Sequence, residues 1–272
     1  MDGSRQIKAK AGENLGKLME IVVRLRSPEG CPWDRVQSQG DIARYLLEEA
    51  YEVVDAIENG SPAALQEELG DLLFQIVFLA RLAEEKGDFD LAGVAAGIEE
   101  KMIRRHPHVF GDASVKSVAA VKENWEIIKK QEGKGGATCG EQMAGVTKAL
   151  PALSRAQKIT NVAARVGFDF ESRSDCLQKV EEELTELKGA LRDRCREQVA
   201  EEIGDLMFSL VNLSRFLEVD AEASLRAATD KFIRRFAYVE EELRKKGKEA
   251  VEVPLAEMDR LWEEAKLRRE LP

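Results

Sequence analysis

Two short acidic motifs carry most of the chemistry this sequence can offer. Glu48-Glu49-Ala50-Tyr51-Glu52 precedes Glu67-Glu68-Leu69-Gly70-Asp71, and the pattern returns as Glu182-Glu183-Leu184-Thr185-Glu186 and Glu201-Glu202-Ile203-Gly204-Asp205. Glu49 with Glu52, and Glu183 with Glu186, stand three apart, which puts each pair on one helix face. At about 100° per residue, Glu68, Asp71 and Gln75 share a sector of about 60°. Leu69, Leu72, Leu73, Phe74, Ile76, Val77 and Phe78 fill most of the remainder, which predicts a helix buried nearly all round. The second copy repeats this sector with Glu202, Asp205 and Ser209. Carboxylates in such a place must be protonated, paired with bases or bound to metal. Two antiparallel helices aiming four hard oxygen ligands at one point suit Mg²⁺, with Mn²⁺ as a substitute. A di-iron bundle needs Glu-x-x-His, and neither His106 nor His108 follows a glutamate at that spacing. Gly70 and Gly204 each cost a helix about 1 kcal/mol, and their recurrence predicts another helix passing close.

Cationic and aromatic residues complete the set. Lys231, Arg234 and Arg235 lie within about 1.5 helical turns. Arginine offers a planar fork to phosphate oxygens and lysine a point charge. Trp262 and Lys266 sit one turn apart, so an indole could stack on a nucleobase while the ammonium meets phosphate. Taken singly these are ordinary features, since a basic cluster is commonly a solvated face and a tryptophan commonly core. Cys31-Pro32-Trp33-Asp34 reads as a loop packed by Trp33, and His106-Pro107-His108 as a structural turn.

The elements that position these residues are helices throughout. Hydrophobic periodicity predicts them at 13–26, 41–59, 62–86, 89–105 and 116–131, then 148–165, 173–194, 196–218, 221–246 and 254–269, with no strand pattern. Asp41, Ser61-Pro62 and Asp220 read as starts, Gly60 and Gly87 as stops. The chain of 272 residues suggests two domains. Five glycines between Gln131 and Gly145 predict flexible coil, giving a disordered tail over 1–12, a first domain over 13–131, a linker over 132–147 and a second domain over 148–272. The halves repeat each other. Glu52 to Glu68 and Glu186 to Glu202 are each 16 residues, and Lys101–Arg105, Lys231–Arg235, Trp125–Lys129 and Trp262–Lys266 each span four.

Lys+Arg 41 against Asp+Glu 51 leaves a net charge of −10, a poor match to a sequence-independent nucleic-acid binder, which needs a basic face. An acidic protein that handles phosphates must bring in cations. The longest apolar stretch, 72–83, is interrupted by Gln75 and Arg81 and is too short to span a bilayer. Residues 1–14 lack the apolar core of a secretory signal. The four cysteines show no metal or disulfide spacing, so the cytoplasm is the default compartment.

Together, Cys31-Pro32-Trp33-Asp34, both acid motifs in both copies, Gly70-Asp71-Leu72-Leu73-Phe74, Arg104-Arg105-His106-Pro107-His108-Val109-Phe110, Gly167-Phe168-Asp169 and Gly204-Asp205-Leu206-Met207-Phe208 resemble the MazG family of nucleoside triphosphate pyrophosphohydrolases over nearly the full length. The resemblance implies an all-α fold of two tandem MazG-type helical bundles, completed by homodimerisation. It implies Mg²⁺-dependent hydrolysis of an NTP or dNTP to the monophosphate and pyrophosphate. Carried over, Glu183, Glu186, Glu202 and Asp205 would hold metal, and Lys179, Lys231, Arg234, Arg235, Trp262 and Lys266 would contact the nucleotide. Glu182 or Glu186 would act as base. The first-half equivalents are Glu49, Glu52, Glu68 and Asp71, with Lys101, Arg104, Arg105, Trp125 and Lys129. Two-domain members are usually credited with activity in the second half. One departure is the run Glu181-Glu182-Glu183, where an uncharged residue is expected first. A nucleotide-binding protein without turnover, a specialised dUTP or phosphoribosyl-ATP pyrophosphatase and a structural dimer with solvated acids are the competing readings.

Overall fold

The computed structural model describes residues 2–112, 117–132 and 138–268, and among them there is no strand. The chain divides into two compact units, residues 1–125 and 126–272. In the first, α1 (Asp2–Arg26) and the short α2 (Pro32–Val36) precede a long pair, α3 (Gln39–Asn59) and α4 (Pro62–Lys86). There follow α5 (Leu91–Arg105), α6 (Pro107–Phe110) and α7 (Val118–Gln131), within which the division between units falls. The second unit holds α8 (Cys139–Ala144), α9 (Ala152–Ala164), a second long pair, α10 (Arg173–Asp193) and α11 (Arg196–Phe216), then α12 (Ala221–Lys245) and α13 (Leu255–Leu267).

Local chemistry sets the ends of the acid-bearing helices. Ser38 caps α3: its Oγ accepts from the Asp41 amide at 3.3 Å while the Asp41 carboxylate accepts from the Ser38 amide at 3.0 Å. The helix thus starts ahead of Asp41, which is the third residue of a capping box rather than the cap. Ser61 caps α4 with Pro62 at its first position, and Gly87 ends it at φ +75°, in the left-handed region that glycine enters without steric cost. Asp220 caps α12 through the Ala223 amide at 2.8 Å.

Packing repeats between the units: α1 lies on α4 as α9 lies on α11, and the α3–α4 and α10–α11 pairs form the spine of each. Val22, Ile42, Val77, Phe78 and Leu82 make the first core, and Val239, Leu243 and Leu261 the second.

Several expectations are corrected. The segment read as a tail is helical from Asp2. Part of the glycine-rich linker is α8, because Thr138 and Glu141 form a capping box and the helix packs on α9; Gly133, Gly135 and Gly136 lie outside the described residues. Nor is α4 buried all round. Gln75, Val77, Phe78, Ala80, Leu82 and Ala83 are buried, but Leu69 is 49% and Leu73 41% exposed. On α11, Ile203, Met207, Phe208 and Leu210 are exposed likewise. The chain's own helices cover one side of each, and periodicity alone does not say what covers the other. A Cβ at Gly70 or Gly204 meets nothing within 4 Å, so the close helix expected there is not supplied by the described residues of this chain. None of their helices is long and apolar enough to cross a membrane.

Candidate functional site

Each helix pair gathers acids where the spacing predicts. In the second unit, carboxylate oxygens of Glu183 and Glu186 on α10 and Glu202 on α11 all lie within 4.8 Å of one another. In the first, Glu49 on α3 and Glu68 and Asp71 on α4 do the same. Three of each expected quartet are therefore drawn together; Asp205 and Glu52 stand outside these sets. Both still act on their neighbours, Asp205 through its charge on Glu202 and Glu52 through charge and hydrogen bonding on Glu68. Of the run Glu181-Glu182-Glu183, only Glu183 is buried, so it is the inward member.

The acids crowd one another. Glu202 is pushed above its ordinary value by desolvation first, then by Glu186, Glu183 and Asp205. Glu68 rises for the same first reason, then through Glu52 and Asp71. Glu49 rises by desolvation, partly offset by the Gln75 amide, which donates to its Oε1 at 3.3 Å. The Gln75 Oε1 is itself buried without a partner among the described residues. Converging, partly desolvated carboxylates that hold one another's protonation up make a donor set for a hard divalent cation.

A pH dependence follows, with its sign. A carboxyl whose pKa is raised by folding stabilises the fold in its protonated form, and that contribution is lost as pH rises through the folded-state value. Without metal, the Glu202→Gln protein should therefore melt above wild type near neutral pH and converge with it toward the acid end. Saturating Mg²⁺ should raise wild type more than the variant, which keeps only the first unit's set. Melting curves in chelator and in Mg²⁺ check this; no pH-dependent gap would mean that Glu202 is solvated.

The remaining candidates are placed as follows. Lys179, assigned to the substrate by resemblance, is half-buried with Nζ 2.8 Å from Glu182 and 2.7 Å from Glu183. Lys231 and Arg234 are exposed on α12. The Arg235 guanidinium lies 5.9 Å from the Trp262 ring centroid, and the Phe232 ring 5.0 Å from it. Trp262 is half-buried and packs against the second core. Lys266 pairs with Glu263 at 2.6 Å. The first unit repeats the motif: Arg105 lies 5.5 Å from the Trp125 ring, which His106 meets edge-on at 5.0 Å. Lys101 is half-buried and Arg104 exposed on α5, while the Lys129 side chain lies outside the described residues. The His106 Nδ1–H donates to the Met102 carbonyl at 2.7 Å, the structural role expected of it.

Sequence reasoning missed two features. Trp33 does not pack its loop; it is 63% exposed, because residues 32–36 form α2 and Arg26 holds the segment by donating to the Asp34 carbonyl at 2.5 Å. In the second unit, an apolar cavity of about 450 Å³ is lined by Ile159, Ala163, Phe168, Phe170, Phe208 and Asn212. Gly167, at φ +84°, makes the turn after α9 that delivers Phe168, and Phe208 lies one turn along α11 from Asp205. The Gly-Phe-Asp triplet was the available signal.

The MazG nucleotide pyrophosphohydrolase domain matches residues 37–110 and 171–239. The chain is 45% identical to the nucleoside triphosphate pyrophosphohydrolase/pyrophosphatase MazG of Thermotoga maritima over 94% of its own length and 97% of that protein's. It is 44% identical to the nucleoside triphosphate pyrophosphohydrolase of Escherichia coli (strain K12) over 93% and 97%. A MazG-related protein structure from Thermotoga maritima matches 42% of this chain and 98% of its own at 29% identity, with a TM-score of 0.38. With the domain found twice and both relatives aligned nearly end to end, the chain belongs to the MazG nucleotide pyrophosphohydrolase family of hydrolases.

Proposed function

We propose that this chain hydrolyses nucleoside triphosphates to the monophosphate and pyrophosphate, with Mg²⁺ as its cation. The observation that carries this is the recurrence of a three-carboxylate set on corresponding helix pairs of both units. The activity for which the Thermotoga and Escherichia relatives are named supports the substrate class. Glu183, Glu186 and Glu202, with Asp205 beside them, would hold Mg²⁺, which supplies charge neutralisation of the triphosphate and an acidified water. Glu186 is exposed at the edge of the set and accepts the proton of the attacking water. Glu182, exposed and outside the three-carboxylate set, is the poorer base. Arg235 and Lys231 neutralise the departing pyrophosphate. The cavity beside Phe168 and Phe208 receives a flat apolar group such as a base by stacking. With Mg²⁺ and a panel of NTPs and dNTPs, the full chain should release monophosphate and pyrophosphate in equal amounts. Release of orthophosphate, or of nothing, defeats the proposal.

We propose also that two copies pair through the exposed faces of α4 and α11, where apolar side chains surround Gly70 and Gly204. In a monomer, Gly204→Ala would stabilise the helix by about 0.5–1 kcal/mol, since glycine is the weaker helix former. Where a partner helix closes on that glycine, the added methyl must instead weaken the dimer. The expected outcome is a lower dimer fraction by light scattering and a lower melting temperature; stabilisation with unchanged mass would refute the pairing.

A further inference from the structure

The two acid clusters share two corresponding glutamates, Glu49 and Glu68 in the first and Glu183 and Glu202 in the second, and differ in what neutralises them. Lys179 stands four residues before Glu183; four residues before Glu49 the first unit has Tyr45, packed against its core. The first unit instead offers Glu49 the Gln75 amide, a neutral dipole. The residue matching Gln75, seven after Glu202 as Gln75 is seven after Glu68, is Ser209, whose hydroxyl is turned to the Leu206 carbonyl at 2.9 Å. The second cluster thus contains a cation of its own, and the first has none in that place.

We propose that Lys179 is an internal counter-ion of the second cluster: it holds Glu183 in the metal-free protein, competes there with the divalent cation, and is released toward triphosphate when that cation binds. This rests on the reading of the acids as a cation site. Glu183 is the one buried member of the set and belongs both to it and to the ion pair with Lys179 at 2.7 Å. An ammonium so near the carboxylates is held by the anionic cluster, and that hold weakens once a dication joins it, because the dication repels the ammonium and takes up the carboxylate oxygens. The lysine stem is long and flexible, so the head can leave without moving α10. A lysine ammonium in water is charged at neutral pH, so it carries its charge with it when it leaves. An anion carrying several phosphate charges is the group it then suits. Two consequences follow. The second cluster binds a bare cation more weakly than it would without Lys179. Cation and polyphosphate reinforce each other there, reciprocally, because each favours the released lysine.

The test uses the full chain with the first cluster silenced by Glu49→Gln and Glu68→Gln. Mn²⁺ is titrated by the loss of its free electron-spin-resonance signal, with and without inorganic tripolyphosphate. In this background Lys179→Met should bind Mn²⁺ several-fold tighter, and Lys179→Gln likewise, while Lys179→Arg should not. Tripolyphosphate should tighten Mn²⁺ binding in the lysine protein and do so less in Lys179→Met. Unchanged or weaker Mn²⁺ binding in both neutral variants overturns the counter-ion role while leaving the cation site standing. Loss of Mn²⁺ binding in every protein, the Lys179 parent included, overturns the cation site and this inference with it.

Discussion

Glu202→Gln is expected to lower pyrophosphate release about a hundredfold or more, the scale on which removal of a charged group stabilising a transition state is felt. The helical content should be unchanged. Glutamine keeps the shape of the side chain and removes one negative charge from a crowded set, so nothing in the fold is strained by it. Glu202 is the member of the second set that α11 contributes, and it closes the triangle with Glu183 and Glu186. Without it α11 would offer a cation only Asp205, which stands outside the close set. The parallel change, Glu68→Gln, removes the matching group of the first set and is expected to cost little turnover. The second unit has features that point the same way: a lysine within the acid set and an apolar cavity one turn along α11. Pyrophosphate release by the two variants, with circular dichroism to check folding, decides the matter. Near-normal turnover in Glu202→Gln would remove the assigned site; equal damage from Glu68→Gln would put the first unit into the reaction.

Which parts of this arrangement were legible follows from the range of the interactions involved. The acids pair within a helix at three residues, and the helix pairs are set by caps and periodicity, so the sets could be read before any coordinates. The Lys179 ion pairs are also local, at three and four residues, and the sequence holds that signal; reading Lys179 only by resemblance passed over it. The wide apolar face of α4 was read correctly as apolar and wrongly as covered, since periodicity says what a face is made of and not what lies against it. Trp33 shows the same limit, exposed where packing was expected. The cavity beside Phe168 needs α9, the turn after it and α11 together, and Phe168 and Phe208 are 40 residues apart in the chain. No local pattern encodes that contact.

The turn beside that cavity is held by one arginine, and its removal should be the most damaging substitution outside the acids. Arg215 is 9% exposed at its side chain. It makes a two-pronged contact with Asp169, Nη1 reaching Oδ2 at 3.0 Å, and its Nε donates to Asn212 Oδ1 at 2.8 Å. The guanidinium draws the Asp169 carboxyl below its ordinary value. Asp169 follows Phe168 directly, and with Asn212 both line the cavity. Arg215→Ala should cost roughly 2–3 kcal/mol, somewhat less than breaking a fully buried pair because Asp169 is partly exposed. It also frees the Phe168 turn, so KM for nucleotide should rise more than kcat falls. Asp169→Asn removes the charge and keeps a hydrogen-bonding partner, and should lose less. A double-mutant cycle on the pair separates their coupling from the packing of the arginine stem. A negligible coupling energy with unchanged KM would mean that the turn is held by the Gly167 geometry alone. The sign of the pH effect gives a second check. Asp169 is an acid with a depressed folded-state value, so its contribution to stability is present at neutral pH and fades as pH falls through that value. The stability gap between wild type and Asp169→Asn should therefore close in acid, whereas the Glu202→Gln difference closes there with the opposite sign.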